Sequence, residues 1–219
     1  MIPLPAPKAI LFDWDNTLVD TWPLIHQSLN MLMAHMGHAP WSIEKVRDNV
    51  KQSMRDAFPE MFGDRWPEAA EFYQNAYRSM HLQALTPLAR AEEALQMIQA
   101  RGIFCAVVSN KRGPSLRAES THLGWDHYFT KLVGADDAPR DKPHADPALM
   151  ALDASGYAQD GAVWFVGDTG VDLACAKAIG ATAILYGDHV TQNQMHDGEF
   201  FHAHARDHTA FMALIGANA

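Results

Sequence analysis

Five short apolar runs punctuate the chain: Ala9–Phe12, Phe104–Val108, Leu132–Gly134, Ala162–Val166 and Thr182–Tyr186. None alternates apolar with polar positions, so each reads as a strand buried on both faces. Helix-like segments separate them. Such an order predicts an α/β fold, a Rossmann-like parallel sheet with helices on both faces. The helical period is clear in Ile25, Leu29, Leu32, Met33 and Met36, which Gly37 closes. It recurs in Ala91, Leu95 and Ile98, ending at Gly102, and in a final helix over Thr209–Ile215.

The spacing of the runs is uneven. Between the first and second strands the helical pattern continues from Thr21 to Leu85. Met54, Ala57 and Phe58, then Ala69, Phe72, Tyr73 and Ala76, mark further helices, with breaks expected at Pro59 and Pro67. A simple crossover between parallel strands needs far fewer residues. The excess predicts a second unit of residues 21–85, bounded by hinge strands near Val19–Trp22 and Thr86–Arg90. Residues 1–20 and 86–219 would then form the sheet-bearing core.

Composition narrows the partners. A chain of 219 residues with 48% apolar and 20% charged residues has the material for one good core and a small accessory unit. The net charge is −9 and no basic run is present, which argues against nucleic acid. No stretch approaches the length of a membrane helix. The opening Met-Ile-Pro-Leu-Pro-Ala-Pro-Lys has too much proline for a signal peptide. The two cysteines, Cys105 and Cys175, fall in an apparent strand and helix, as buried thiols of a cytoplasmic protein do. A monomer or small homo-oligomer is expected. The segment from Asp188 to His208 is polar and carries five histidines, including His202-x-His204. It lacks the usual structural zinc spacings, so it reads as a surface loop.

Three apolar runs lead directly into polar candidates: Asp13, Ser109 and Asp168. Ligand sites in open α/β sheets lie at the carboxyl ends of strands. Asp13 and Asp15 stand two apart at a strand exit, a spacing that points both to one side of extended backbone. Like charges there repel unless a cation binds both or one carries a proton. Either answer is chemistry rather than packing. For Asp168 and Asp172, a bland reading also exists, as acidic residues in the first turn of a helix.

The run Asp13-Trp-Asp15-Asn-Thr17 resembles the first motif, Asp-x-Asp-x-Thr, of the haloacid-dehalogenase superfamily. Phe104–Ser109 is similar to the second motif, Lys142 of Asp-Lys-Pro to the third, and Gly167-Asp168 with Asp172 to the fourth. All four occur in the family's order. The resemblance, within its phosphoglycolate-phosphatase-like branch, implies a phosphatase that hydrolyses a small phosphorylated metabolite through an aspartyl-phosphate. It implies Asp13 as nucleophile, Asp15 as general acid and base, and Lys142 as charge-neutralising catalytic residue. It further implies Mg2+ on Asp13, the backbone carbonyl of Asp15 and Asp168, with Asp172 either a further ligand or the holder of a metal-bound water. Ser109 and the backbone amides of Asn110 and Lys111 would hold the phosphoryl oxygens, and Thr17 would steady the loop. Residues 21–85 match the position of the family's helical cap. Within it Lys51 and Gln52 are the candidates for contact with the leaving group, although the glycine-rich turn of that branch is missing from Asn49–Ser53. An acid at Asp15 argues against dehalogenation. A phosphomutase, or a family member that binds without catalysis, remains open.

Overall fold

A computed structural model describes residues 4–50, 52–153, 155–157, 162–187 and 200–218. Six strands form one parallel sheet in the order β5-β4-β1-β6-β7-β8. They are β1 (Ala9–Phe12), β4 (Phe104–Arg112), β5 (Lys131–Ala135), β6 (Val163–Gly167), β7 (Thr182–Tyr186) and β8 (Ala203–Ala205). β1 lies at the centre, paired with β4 and β6, and all four of its residues are fully buried. Its side chains divide by parity. Ile10 and Phe12 join the core under α5 (Ala91–Ala100) and α9 (His208–Ala217), while Ala9 and Leu11 join the core under α7 (Asp146–Leu152) and α8 (Gly170–Ala178). Burial on both faces explains the unbroken apolar runs. Each fully buried aliphatic or aromatic side chain contributes about 1.5–3 kcal/mol.

Between β2 (Val19–Asp20) and β3 (Thr86–Pro87) stand four helices: α1 (Trp22–His35), α2 (Ile43–Asn49), α3 (Met54–Phe62) and α4 (Trp66–Ala84). β2 and β3 pair antiparallel, so the chain leaves and re-enters the core at one place. The helical insertion has its own apolar cluster, which includes Leu29, Leu32, Met33, Val46, Phe58 and Ala69. α6 (Gly113–Leu123) follows β4 and packs against α4.

Four sequence expectations are corrected. Pro59 does not break a helix but sits inside α3; the break falls at Gly63, whose φ of +53° favours glycine. Both hinge strands are shorter than expected, at two residues each. β4 runs on to Arg112, four residues past Val108, with a register shift against β5. Part of the polar segment before α9 is a strand, β8, and not loop throughout. His189 and His196 lie outside the described residues. His202 Nδ1 accepts from the Ala183 amide at 2.9 Å, and His204 Nε2 meets the Gly187 carbonyl at 2.8 Å.

Candidate active site

The carboxyl ends of β1, β4 and β6 converge on one cleft of about 170 Å³, roofed by α1, α3 and α4. Asp13 follows β1, Ser109 lies in β4, and Asp168 and Asp172 flank the start of α8. Asp13, Asp168 and Asp172 each offer a carboxylate oxygen within 4.8 Å of the others. Lys142, 3% exposed, inserts its ammonium between two of them, 2.8 Å from Asp13 Oδ1 and 2.6 Å from Asp172 Oδ1. Burial opposes its charge, but the two carboxylates outweigh burial and raise its pKa.

Two local devices fix this cluster. Asn110 clamps the backbone of Lys142: its amide donates to the Lys142 carbonyl at 3.1 Å, and its side-chain oxygen accepts from the Lys142 amide at 3.0 Å. Asp172 Oδ2 accepts from both the amide and the hydroxyl of Thr169, closing a capping box at the start of α8. The first-turn reading therefore holds for Asp172, whose second oxygen still faces Lys142, and not for Asp168, which precedes the N-cap Thr169. Gly167 permits this approach. A Cβ there would lie 2.3 Å from Asp172 Cγ.

Asp15 has a separate anchor. Its Oδ1 lies 2.7 Å from Lys111 Nζ, and Lys111 also meets Glu119 Oε2 and the Tyr77 hydroxyl, each at 2.6 Å. Glu119 is fully buried on α6. It accepts from Trp14 Nε1 at 2.7 Å and from the Tyr77 hydroxyl at 2.9 Å, and faces His81 Nδ1 at 2.8 Å. Burial works against its charge, yet Lys111 and the hydrogen bonds hold its carboxyl down at about 2. Tyr77 and His81 belong to α4, so the network ties Asp15 to the helical insertion. Glu119, Tyr77 and His81 of this network belong to none of the sequence motifs. The available signal is Leu116, Glu119, Ser120 and Leu123, a helix stripe that carries a carboxylate where an apolar residue is expected.

The remaining candidates divide. Ser109 lines the cleft, and its Oγ accepts from the Lys111 amide at 3.1 Å, which leaves the hydroxyl hydrogen for a ligand. Asn110 and Gln52 also line the cleft. Thr17 does not; it is fully buried, and its hydroxyl has no hydrogen-bond partner among the described residues. Its tie to the loop does not run through the hydroxyl. Its backbone amide instead donates to the Trp14 carbonyl. Lys51 lies outside the described residues.

The donor set suits a hard divalent cation. Two ammonium groups stand among five carboxylates, Asp13, Asp15, Glu119, Asp168 and Asp172. The imbalance is visible at the cluster itself. Burial pushes the Asp13 carboxyl up to about 7 despite Lys142, with Asp172 and Asp15 adding to the rise. Asp168 is pushed well above the carboxylate range, first by burial and then by Asp172 and Asp13. A cation among these oxygens would relieve both penalties.

Among curated proteins, the phosphoglycolate phosphatase of Chromobacterium violaceum is 28% identical over 189 residues, 82% of this chain and 85% of that one. The pyrophosphatase PpaX of Bacillus pumilus is 28% identical over 173 residues, covering 79% and 80%. Among solved structures, CbbY of Rhodobacter sphaeroides in complex with phosphate superposes with a TM-score of 0.81 at 17% identity, over 96% and 99% of the two chains, a likeness of fold. The family model of the haloacid dehalogenase-like hydrolases matches residues 10–186, from β1 through β7 and across every carboxylate of the cleft. The chain belongs to the haloacid dehalogenase-like hydrolases.

Proposed function

We propose that the protein is a Mg2+-dependent phosphatase that hydrolyses a small phosphomonoester through an aspartyl-phosphate on Asp13. The observation that carries this reading is the pairing of two differently held carboxylates at the β1 exit. Asp13 faces Lys142 and the carboxylate cluster, while Asp15 is turned to Lys111. The relatives named as phosphatases support the class of reaction.

A carboxylate is a weak nucleophile, so positioning and charge neutralisation must lower the barrier. Asp13 attacks phosphorus, and the bond from phosphorus to the leaving oxygen breaks. Asp15 delivers a proton to that oxygen, then removes one from the water that attacks the aspartyl-phosphate. Inorganic phosphate leaves and Asp13 is regenerated. Lys142 offsets charge on the nucleophile, and Ser109 and the Asn110 backbone amide bind phosphoryl oxygens. The Asp13 and Asp168 side chains and the Asp15 carbonyl would hold Mg2+, with Asp172 completing the set. When bound, the ion supplies positive charge against the transferring phosphoryl group.

Residues 1–20 and 86–219 form the catalytic core in this reading, and residues 21–85 a cap that selects the leaving group. The two free, buried cysteines agree with a cytoplasmic location. Among the described residues no helix is long and apolar enough to cross a membrane.

The test is phosphate release with Mg2+, with EDTA and in Asp13→Asn. Chelation and the substitution are each expected to abolish turnover. Rapid-quench mass spectrometry should find the phosphoryl mass on the peptide holding Asp13; finding it on a serine or histidine overturns the mechanism.

A further inference from the structure

The cleft has two unlike ends. Its floor is the charged cluster of Asp13, Asp168, Asp172 and Lys142. The wall that the helical insertion contributes is largely apolar, with Trp22 and Ile25 of α1 and Phe58 and Met61 of α3, beside the polar Asn49, Gln52 and Gln74. A phosphoryl group on the floor therefore directs the rest of the ester against aromatic and branched side chains.

The cations tell the same story. Three described cations line the cleft, and each already has a carboxylate partner. Lys142 lies between Asp13 and Asp172, Lys111 between Asp15 and Glu119, and Arg112 Nε sits 3.1 Å from Asp136 Oδ2. Against the largely apolar part of this wall a carboxylate on the leaving group would be buried at a cost that an uncharged body does not meet. The volume of about 170 Å³ lies below the roughly 300–1,000 Å³ of sites for drug-sized ligands, so the leaving group is small.

We propose that the preferred substrate is a small phosphomonoester whose leaving group is an uncharged alcohol with an aromatic or branched apolar body. The proposal rests on the phosphatase reading and departs from the anionic phosphoglycolate of the relatives' names. The apolar wall recognises the organic part by burying its surface, while the floor handles the phosphoryl group.

The test compares three esters with alkyl leaving groups, so that leaving ability stays similar: 2-phenylethyl phosphate, glycerol 1-phosphate and phosphoglycolate. With Mg2+, kcat/KM for the phenylethyl ester should exceed both others by about tenfold or more. Met61→Gln, close to native in shape and therefore expected to fold, and Phe58→Ala should each shrink that ratio severalfold. A second readout needs no turnover. Calorimetry with 3-phenylpropylphosphonate and with phosphonoacetate should show tighter binding of the former, with a more negative heat-capacity change. Equal or better turnover of phosphoglycolate, together with tighter binding of phosphonoacetate, overturns the proposal and leaves the phosphatase reading intact. Preferred binding of the phenylpropyl compound with no ester hydrolysed upholds the cleft's preference and overturns the phosphatase reading instead.

Discussion

Lys111 is the residue whose role depends most on its surroundings. It is the shared cation of Asp15 and Glu119, and it fixes the carboxylate proposed to protonate the leaving group. Lys111→Met should lower kcat/KM by about 10²-fold or more on an alkyl phosphate, within the usual range of general-acid contributions. On 2,4-dinitrophenyl phosphate, whose leaving group needs no proton, the loss should stay within a few-fold. A merely structural role would depress both substrates alike. The single variant leaves Glu119 buried without its cation, a loss of about 3–5 kcal/mol. Lys111→Met with Glu119→Gln should recover much of that stability without recovering the alkyl activity, as thermal melts and kinetics of both variants would show. His208 offers a residue-scale prediction of another kind. It is fully buried beside Tyr186, and burial pushes its pKa from 6.5 down to about 4, against a smaller pull from the Thr17 backbone. The unfolded chain therefore binds more protons between those values. The stability His208 contributes is complete above pH 6.5 and is lost as pH falls toward 4, on the order of 3 kcal/mol in all. Denaturant melts of His208→Phe across that window should show a shallower pH dependence than the native protein.

At the scale of elements, the junction of β6 and α8 shows why glycine precedes Asp168. A methyl group on residue 167 would overlap Asp172, which caps α8 and meets Lys142. Gly167→Ala should cost about 1–3 kcal/mol by overpacking. In a protein of this size that lowers the melting temperature by about 2–12 °C, with a loss of turnover because Asp172 must move off Lys142. A melting curve unchanged from native would show that the junction relaxes freely. The buried strands were legible in the sequence because burial on both faces removes polar positions from the run. β8 was not, since a three-residue edge strand with His204 exposed has no such run. Pro59 misled for a related reason. Phe58 and Phe62 flank it and pack edge-on at 5.1 Å, and Phe58 packs on Tyr73 at 5.6 Å, so tertiary contact outweighs one missing backbone hydrogen bond. The carboxylates and Lys142 were legible as spaced motifs. The anchor of Asp15 was not, because Glu119, Tyr77 and His81 meet it from α6 and α4, at separations no local pattern records.

The whole molecule carries an electrostatic cost at its centre. Three carboxylates share one lysine at the floor of the cleft, and burial raises the pKa of Asp13 and Asp168. Folding assembles this cluster, and the unfolded chain disperses it, so a cation that binds only the folded form must stabilise the protein. At a free Mg2+ concentration 100 times its dissociation constant, the gain is about 2.7 kcal/mol, which corresponds to about 5–11 °C in melting temperature for a chain of this length. Calorimetry with Mg2+ and with EDTA measures it without any assay of turnover. Asp168→Asn separates the metal from general salt effects. It removes one ligand, so most of the Mg2+-dependent rise should vanish. It also removes a carboxylate that Asp13 and Asp172 repel, so in EDTA the variant should melt at or above the native temperature. The two shifts have opposite signs, and screening by salt cannot produce both. A variant that keeps the full Mg2+-dependent rise would show that the ion is held elsewhere than at Asp168.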